Sequence, residues 1–298
     1  MSSGPTRRRA PVQEAGHSRD RSLPPEPEPL PHPVIDNHCH LDIADADEWF
    51  SVEQALAAGA RVGVPRIVNI GCDLSGAAWA VEVAERHPQI VAGVSLHPNE
   101  APRLAAAGRL DEALAEIERR VVASDRVRAV GETGLDHYRT GEDGREAQEE
   151  SFRAHVAMAK RHDRALVVHD RDAHADVLRV LDDEGVPERT VMHCFSGDAD
   201  FARECLDRGM WLSFAGTVTF KNAHPLREAL RVTPSHRLLV ETDAPYLTPM
   251  PHRGRPNASY LVPLTLRAMA ATREVDVADL CETVEAATYE AFGGPWGP

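Results

Sequence analysis

His38 and His40, Glu132, His169, His193 and Asp243 are side chains of the kinds that hold divalent metal ions, and each falls at the end of a short apolar run or just beyond it. Imidazole nitrogens and carboxylate oxygens together suit Zn²⁺, Mn²⁺ or Fe²⁺. A site built from them that keeps an open position can activate water for hydrolysis. Residues this far apart in sequence converge only if the runs are strands of one closed structure, so the pattern predicts a metal-dependent hydrolase assembled at one end of a barrel.

Each strand end has its own chemistry. In Val34-Ile-Asp-Asn-His-Cys-His40 the period of two puts Asp36, His38 and His40 on one face and Ile35, Asn37 and Cys39 on the other. The two imidazoles then meet at one point, with Asp36 as an expected anchor for a ring tautomer. Glu132 follows the fourth run, and its two oxygens could bridge two ions ~3.5–4 Å apart. His169 ends Ala-Leu-Val-Val-His and His193 ends Thr-Val-Met-His, while Asp243 closes Leu-Leu-Val-Glu-Thr-Asp, where an acid could ligate a metal and take a proton from water. Taken singly, each has an ordinary reading as a capping acid or a satisfied core histidine. Cys39 and Cys194 flank ligands and are expected to point away as small buried side chains.

The positioning elements follow from the texture. Eight apolar runs occur, at Val34–Asn37, Arg66–Ile70, Ile90–Ser95, Arg128–Val130, Ala165–Val168, Thr190–Met192, Trp211–Phe214 and Leu238–Val240. Helical periodicity lies between them, as in Leu110, Leu114, Ile117 and Val121, or Ala173, Val177, Val180 and Leu181 with Gly185 as a stop. Ser51 and Gln54 form a candidate capping box. Strands alternating with helices imply parallel pairing and right-handed crossovers, hence an α/β fold of the (β/α)8 TIM-barrel type over residues 34–298. Residues 1–33, with eight of the 22 prolines, five arginines and four acids, are expected to form a disordered tail.

Composition bounds the partners. With 298 residues, 42% hydrophobic and 27% charged, the chain can fill such a core. The net charge of -14 argues against broad neutralisation of nucleic-acid phosphates, so a polyanion would be met locally, by ions and a few arginines. Five cysteines without a C-x-x-C pair favour a reducing compartment. No apolar run approaches the ~18 residues of a membrane span, and Arg7-Arg8-Arg9 is not followed by the apolar segment of an export signal. A cytoplasmic protein with no membrane partner is expected.

The segments IDNHCHLD (35–42), GETGLDHY (131–138), HDRDA (169–173), HCFSG (193–197), SFAGTVTFKNA (213–223) and ETDAPYLTP (241–249) resemble those of the TatD family of metal-dependent deoxyribonucleases, within the amidohydrolase superfamily. The resemblance runs over about residues 34–292. It implies a TIM barrel with two divalent ions, Mg²⁺, Mn²⁺ or Zn²⁺. His38, His40 and Asp243 would hold one, His169 and His193 the other, and Glu132 would bridge them, with Glu132 and Asp243 as the catalytic carboxylates. It also implies nuclease activity, in several members 3′-to-5′ on single-stranded DNA. The chain departs from the family pattern at His137, which would add a titrating group near the pocket, and at Ala287 in the last helix.

For substrate contacts, Arg171 and Arg253 could grip phosphate oxygens bidentately, unless Arg171 pairs instead with Asp170 or Asp172. His97 could line the pocket or hold its loop, and Asp136, Lys221 and Asn222 are weaker candidates. The alternative function is a small-molecule amidohydrolase acting on an amide, ester or lactone, since one barrel serves both chemistries. Many binuclear relatives bridge their metals with a carboxylated lysine. The two lysines here, Lys160 and Lys221, fall at no such strand end, which leaves Glu132 as the bridge.

Overall fold

A computed structural model describes residues 4–9 and 19–297. Eight strands, β1 (Ile35–Cys39), β2 (Arg66–Gly71), β3 (Ile90–Val94), β4 (Val127–Asp136), β5 (Ala165–Arg171), β6 (Thr190–Met192), β7 (Trp211–Phe214) and β8 (Leu238–Val240), lie side by side in sequence order. Every neighbouring pair is parallel. The ring closes just past β8, where Asp243 N donates to His38 O at 2.9 Å and His40 N to Ala244 O at 2.7 Å. The buried Asp36 reinforces that seam by accepting from Thr242 N at 2.9 Å and Thr242 Oγ1 at 2.6 Å. The architecture is the (β/α)8 barrel that the alternating texture predicts.

The strands alternate inward and outward as period two requires, except where the register shifts. In β1 it shifts between Asp36 and Cys39, which puts His38 and His40 on a different face from the one strict alternation assigns relative to Asp36. Ile35, Val68, Val91, Ala129, Val167, Val191 and Leu239 fill the barrel interior, and Phe292 and Trp296 at the chain's C-terminal end complete that cluster. Ala287, on the last helix (Val277–Phe292), is buried there as well. Outward residues such as Ile67, Ile90, Leu166 and Leu212 pack under the helices. Helix α1 (Val52–Arg61) opens on the expected Ser51–Gln54 capping box. The Leu110 and Ala173 patterns become α2 (Leu110–Val121) and α3 (His174–Glu184), the latter ending at Gly185 with φ +76°. No helix among the described residues is long and apolar enough to cross a membrane.

Two strands run longer than their apolar runs. β4 continues through Gly131-Glu-Thr-Gly-Leu-Asp136 and β5 through His169 to Arg171, and they stay paired to the rim, with Gly134 opposite His169 and Asp136 opposite Arg171. Gly131 (φ +153°) and Gly134 (φ +137°) permit this, because a Cβ at either would sit within 2.6 Å of β5. Glu132 and His169 therefore stand within strands, which makes them rigid.

The disorder expected of residues 1–33 does not extend to the described parts of that segment. Leu30 is buried, and the Pro24 carbonyl accepts from Tyr260 Oη at 2.6 Å. Arg255 donates to Ser22 O and Leu23 O, and Arg267 to Pro29 O. Arg19 forms a bidentate pair with Asp45, both contacts at 2.6 Å and both side chains at most 5% exposed. Further upstream, Arg7–Arg8 pairs in parallel with Ile43–Ala44, and Arg9 lies over the Tyr246 ring at 4.6 Å. An extended proline-rich backbone leaves its carbonyls free, and the barrel supplies donors for them and carboxylates for the arginines. Residues 1–3 and 10–18 of the same segment lie outside the described residues.

Candidate metal centre at the barrel mouth

Glu132 is the centre of the arrangement. Its Oε1 lies 2.6 Å from His169 Nδ1 and 2.9 Å from His193 Nε2, while its Oε2 lies 3.5 Å from His38 Nε2 and 3.7 Å from His40 Nε2. Asp243 Oδ1 stands 3.4 Å from His40 Nε2 and 3.9 Å from His38 Nε2. All six side chains read from the sequence thus meet in one cluster, and all except His169 and Asp243 are fully buried. Asp243 holds φ +54°, a left-handed backbone unusual for a non-glycine residue. The barrel-closing bonds, together with Tyr246 N donating to Asp243 O at 2.8 Å, hold it there.

The hydrogen bonds on the far side of each ring decide which nitrogen faces the cluster. His40 Nδ1 lies 2.9 Å from Ile70 O, which can only accept, so Nδ1 carries the proton and Nε2 presents a lone pair. His193 Nδ1 likewise faces Glu241 Oε1 at 3.1 Å, leaving Nε2 bare toward Glu132. Lone pairs so aimed at carboxylates, with His38 Nε2 and His40 Nε2 3.3 Å apart, repel unless a cation sits among them. Buried His38 Nδ1 and Glu241 Oε2 also lack hydrogen-bond partners. Donor chemistry and unsatisfied groups together fit divalent metal. Two of the side-chain groupings that could hold an ion are His38, His40 with Glu132, and His97, Glu132 with His169.

The electrostatics point the same way. Burial works against charge on His193, yet Glu132 and Glu241 outweigh it and hold the ring well above the usual imidazole range. Burial also opposes charge on His169, but Asp136 and Glu132 raise it to about 9. Glu132 would be raised by its burial, and the charge of His193 and His97 holds it well below an ordinary carboxylate instead. The cluster demands positive charge, which protons supply when metal does not.

His97 has the opposite tautomer. Asn99 N donates to its Nδ1 at 3.0 Å, so Nε2 bears the proton and points at Glu132 Oε1 3.5 Å away, as a donor. Asp136 sits 3.5 Å from His169 Nε2 and is fixed by Asn99 Nδ2 at 3.0 Å and Arg139 N at 2.8 Å. It orients the ring.

Several expectations need correction. Asp36 anchors Thr242 across the barrel seam and no ring tautomer; His38 N approaches it only at 3.4 Å. Arg171 makes no ion pair with Asp170, which binds His174 at 2.7 Å, and stacks instead on the exposed Tyr138 at 3.9 Å. His137 faces Asp176 on α3 at 3.8 Å. Cys39 is buried as expected, whereas Cys194 is half-exposed with φ +44° and lines a cavity together with Lys221, Asn222 and Arg253. Sequence reasoning missed Glu241 and Cys72. Burial pushes the Cys72 thiol up to about 12, and its Sγ donates to Glu132 Oε2 at 3.4 Å. Glu241 carried a signal, since two residues before Asp243 it shares that residue's side of an extended chain.

A (β/α)8 barrel with histidines and carboxylates gathered at the C-terminal ends of its strands defines a metal-dependent hydrolase of the amidohydrolase type. Residues 35–293 match the family model described as TatD related DNase. The chain is 46% identical over 241 residues, 80% of its length and 89% of the relative's, to a Mycobacterium tuberculosis protein named uncharacterized metal-dependent hydrolase TatD. It is 37% identical over 251 residues to the Escherichia coli (strain K12) metal-dependent hydrolase YcfH, covering 84% of this chain and 91% of that one. The crystal structure of YJJV, a TatD homologue from E. coli K12, superposes with a TM-score of 0.79 at 26% identity, covering 88% of this chain and 98% of that chain. The chain belongs to the TatD family.

Proposed function

We propose that this chain is a metal-dependent deoxyribonuclease that works with two divalent ions and shortens single-stranded DNA in the 3′-to-5′ direction. The observation that carries the reading is the division of Glu132, one oxygen toward His169 and His193, the other toward His38 and His40. In this account His38, His40 and Asp243 would hold one ion, His169 and His193 the other, and Glu132 would serve both. A bound pair of this kind polarises a phosphoryl oxygen and brings water toward ionisation near neutral pH.

The protein's own groups do the rest. Asp243 takes the proton of the attacking water as the new P–O bond forms, and the departing sugar oxygen leaves with a proton from solvent. Glu241 and the Ile70 carbonyl keep His193 and His40 in their ligand tautomers. Ser95 Oγ donates to Glu132 O at 2.7 Å and steadies the bridging residue's backbone. Arg171 and Arg253 at the rim meet the phosphates flanking the cleaved one, and His97 offers its Nε2 proton inside the mouth. A reducing compartment, the cytoplasm, suits the five unpaired cysteines.

The test is a time course on end-labelled single- and double-stranded DNA with Mg²⁺, Mn²⁺, Co²⁺ or Zn²⁺, then with chelator. Stepwise shortening of the single strand that chelator stops is expected. Absence of DNA turnover with every ion, alongside hydrolysis of an ester, lactone or amide, would replace this reading by the small-molecule amidohydrolase one.

A further inference from the structure

A cavity of about 410 Å³ opens on the barrel mouth beside the cluster, within the ~300–1,000 Å³ usual for small-molecule sites. It starts at Cys194, next in the chain to His193, and continues along the loops that follow β7 and β8. One part of its wall is the Phe220 ring with the Arg253 guanidinium stacked over it at 4.4 Å. Elsewhere Leu226 supplies apolar surface, and the exposed Lys221 and Asn222 stand at the edge. Among the described residues the side chains of Lys221 and Arg253 have no carboxylate partner, in a chain whose net charge is -14. An acidic protein that leaves two cations unpaired around a flat, partly apolar hollow is complementary to an anion attached to a planar ring.

We infer that this cavity holds the base of the nucleotide adjoining the cleaved phosphodiester, stacked on the Phe220–Arg253 pair, with Lys221 facing a neighbouring phosphate. The inference rests on the deoxyribonuclease reading and deepens it. The stack is blind to base identity, because every base has a π-face, so the cavity selects for the presence of a base. Cys194 to Asn222 then form the base-holding side of the mouth, and the metal ligands the phosphate side. An aliphatic acyl group would use Leu226 and leave both cations without a counter-charge.

Two measurements separate this inference from the reading beneath it. Calorimetric binding of thymidine 5′-monophosphate and of inorganic phosphate to the metal-loaded full chain is compared with the same titrations of Phe220→Leu and Lys221→Ala. The wild type should bind the nucleotide about tenfold more tightly than phosphate, as one base stacking on an aromatic ring supplies. Phe220→Leu should abolish that preference while phosphate binding is unchanged, and Lys221→Ala should weaken binding of the dinucleotide pTpT, whose second phosphate it faces, while leaving the mononucleotide and metal content unchanged. Equal affinity for nucleotide and phosphate, or a Phe220→Leu variant that keeps the preference, overturns the inference. Turnover of thymidine 5′-(p-nitrophenyl phosphate) against methyl p-nitrophenyl phosphate tests the underlying reading. No hydrolysis of either by the wild type with any ion would sink the nuclease assignment, while the binding comparison still decides the cavity.

Discussion

Glu241 Oε1 accepts the His193 Nδ1 proton at 3.1 Å and the Cys194 N–H at 3.0 Å, so one buried carboxylate sets both the tautomer of a cluster histidine and the turn that follows it. Residues in this relation to a metal ligand typically change metal affinity by ~10–100-fold when lost. Glu241→Ala should weaken metal binding by about that factor, read by competition with a chromogenic chelator. Glu241→Gln, which keeps an acceptor for Nδ1, should fall between. Unchanged affinity in both variants would mean that Glu241 serves the fold alone.

The N-terminal segment should contribute stability. Residues 19–33 bury Leu30, seat the Arg19–Asp45 pair and accept hydrogen bonds from Tyr260, Arg255 and Arg267. Deleting residues 1–33 should lower Tm by several degrees, at ~2–4 °C per kcal/mol for a domain of this size. An unchanged Tm by scanning calorimetry would return the segment to the status of a passive tail.

How far the sequence could be read follows from which residues act locally. The candidate ligands were legible because each ends an apolar run or lies just beyond it, and the strands because those runs are bounded by helical periodicity. The N-terminal segment was not, because composition counts its few aliphatic residues but not the Asp45 carboxylate or the Tyr260 hydroxyl that wait on a distant surface. Glu241 was missed for a similar reason: its role exists only once β6 and β8 bring His193 beside it. Asp36 was given the face of His38 and His40 and the wrong partner, because a register shift between Asp36 and Cys39 breaks the strict alternation and leaves Ile35 in the barrel interior and Cys39 under the helices.

A buried histidine outside the cluster should tie stability to pH. His155 Nε2 accepts from Leu96 N at 3.1 Å and its Nδ1 donates to Ser151 O at 2.6 Å, so the ring is neutral and has no room for a second proton. Burial pushes its pKa down to about 4 from 6.5. The unfolded chain takes up this proton through pH 6.5 and the folded chain only near 4, so the unfolded state binds more protons between these values. The contribution is complete above about pH 6.5 and is lost as pH falls toward 4, by up to about 3 kcal/mol. Denaturation at stepped pH should show a shallower acid-side slope for His155→Gln than for the wild type, and identical slopes would contradict the assignment.

Arg171, at the end of β5, stacks on Tyr138, and Arg253, in the loop after β8, on Phe220. Replacing either by Ala should raise KM for single-stranded DNA by about tenfold, the scale of one charge-assisted phosphate contact. Metal content should be unaltered. A fall in kcat with KM unchanged would place the arginines at the reacting phosphate instead of beside it.

The central claim is that Glu132 serves two ions at once, and metal stoichiometry tests it most directly. Elemental analysis of the wild type and of Glu132→Ala, each checked for its folded state by circular dichroism, should give two equivalents of divalent metal for the wild type and at most one for the variant, with hydrolysis abolished. A Glu132→Ala protein that retains two equivalents and full activity would contradict the account.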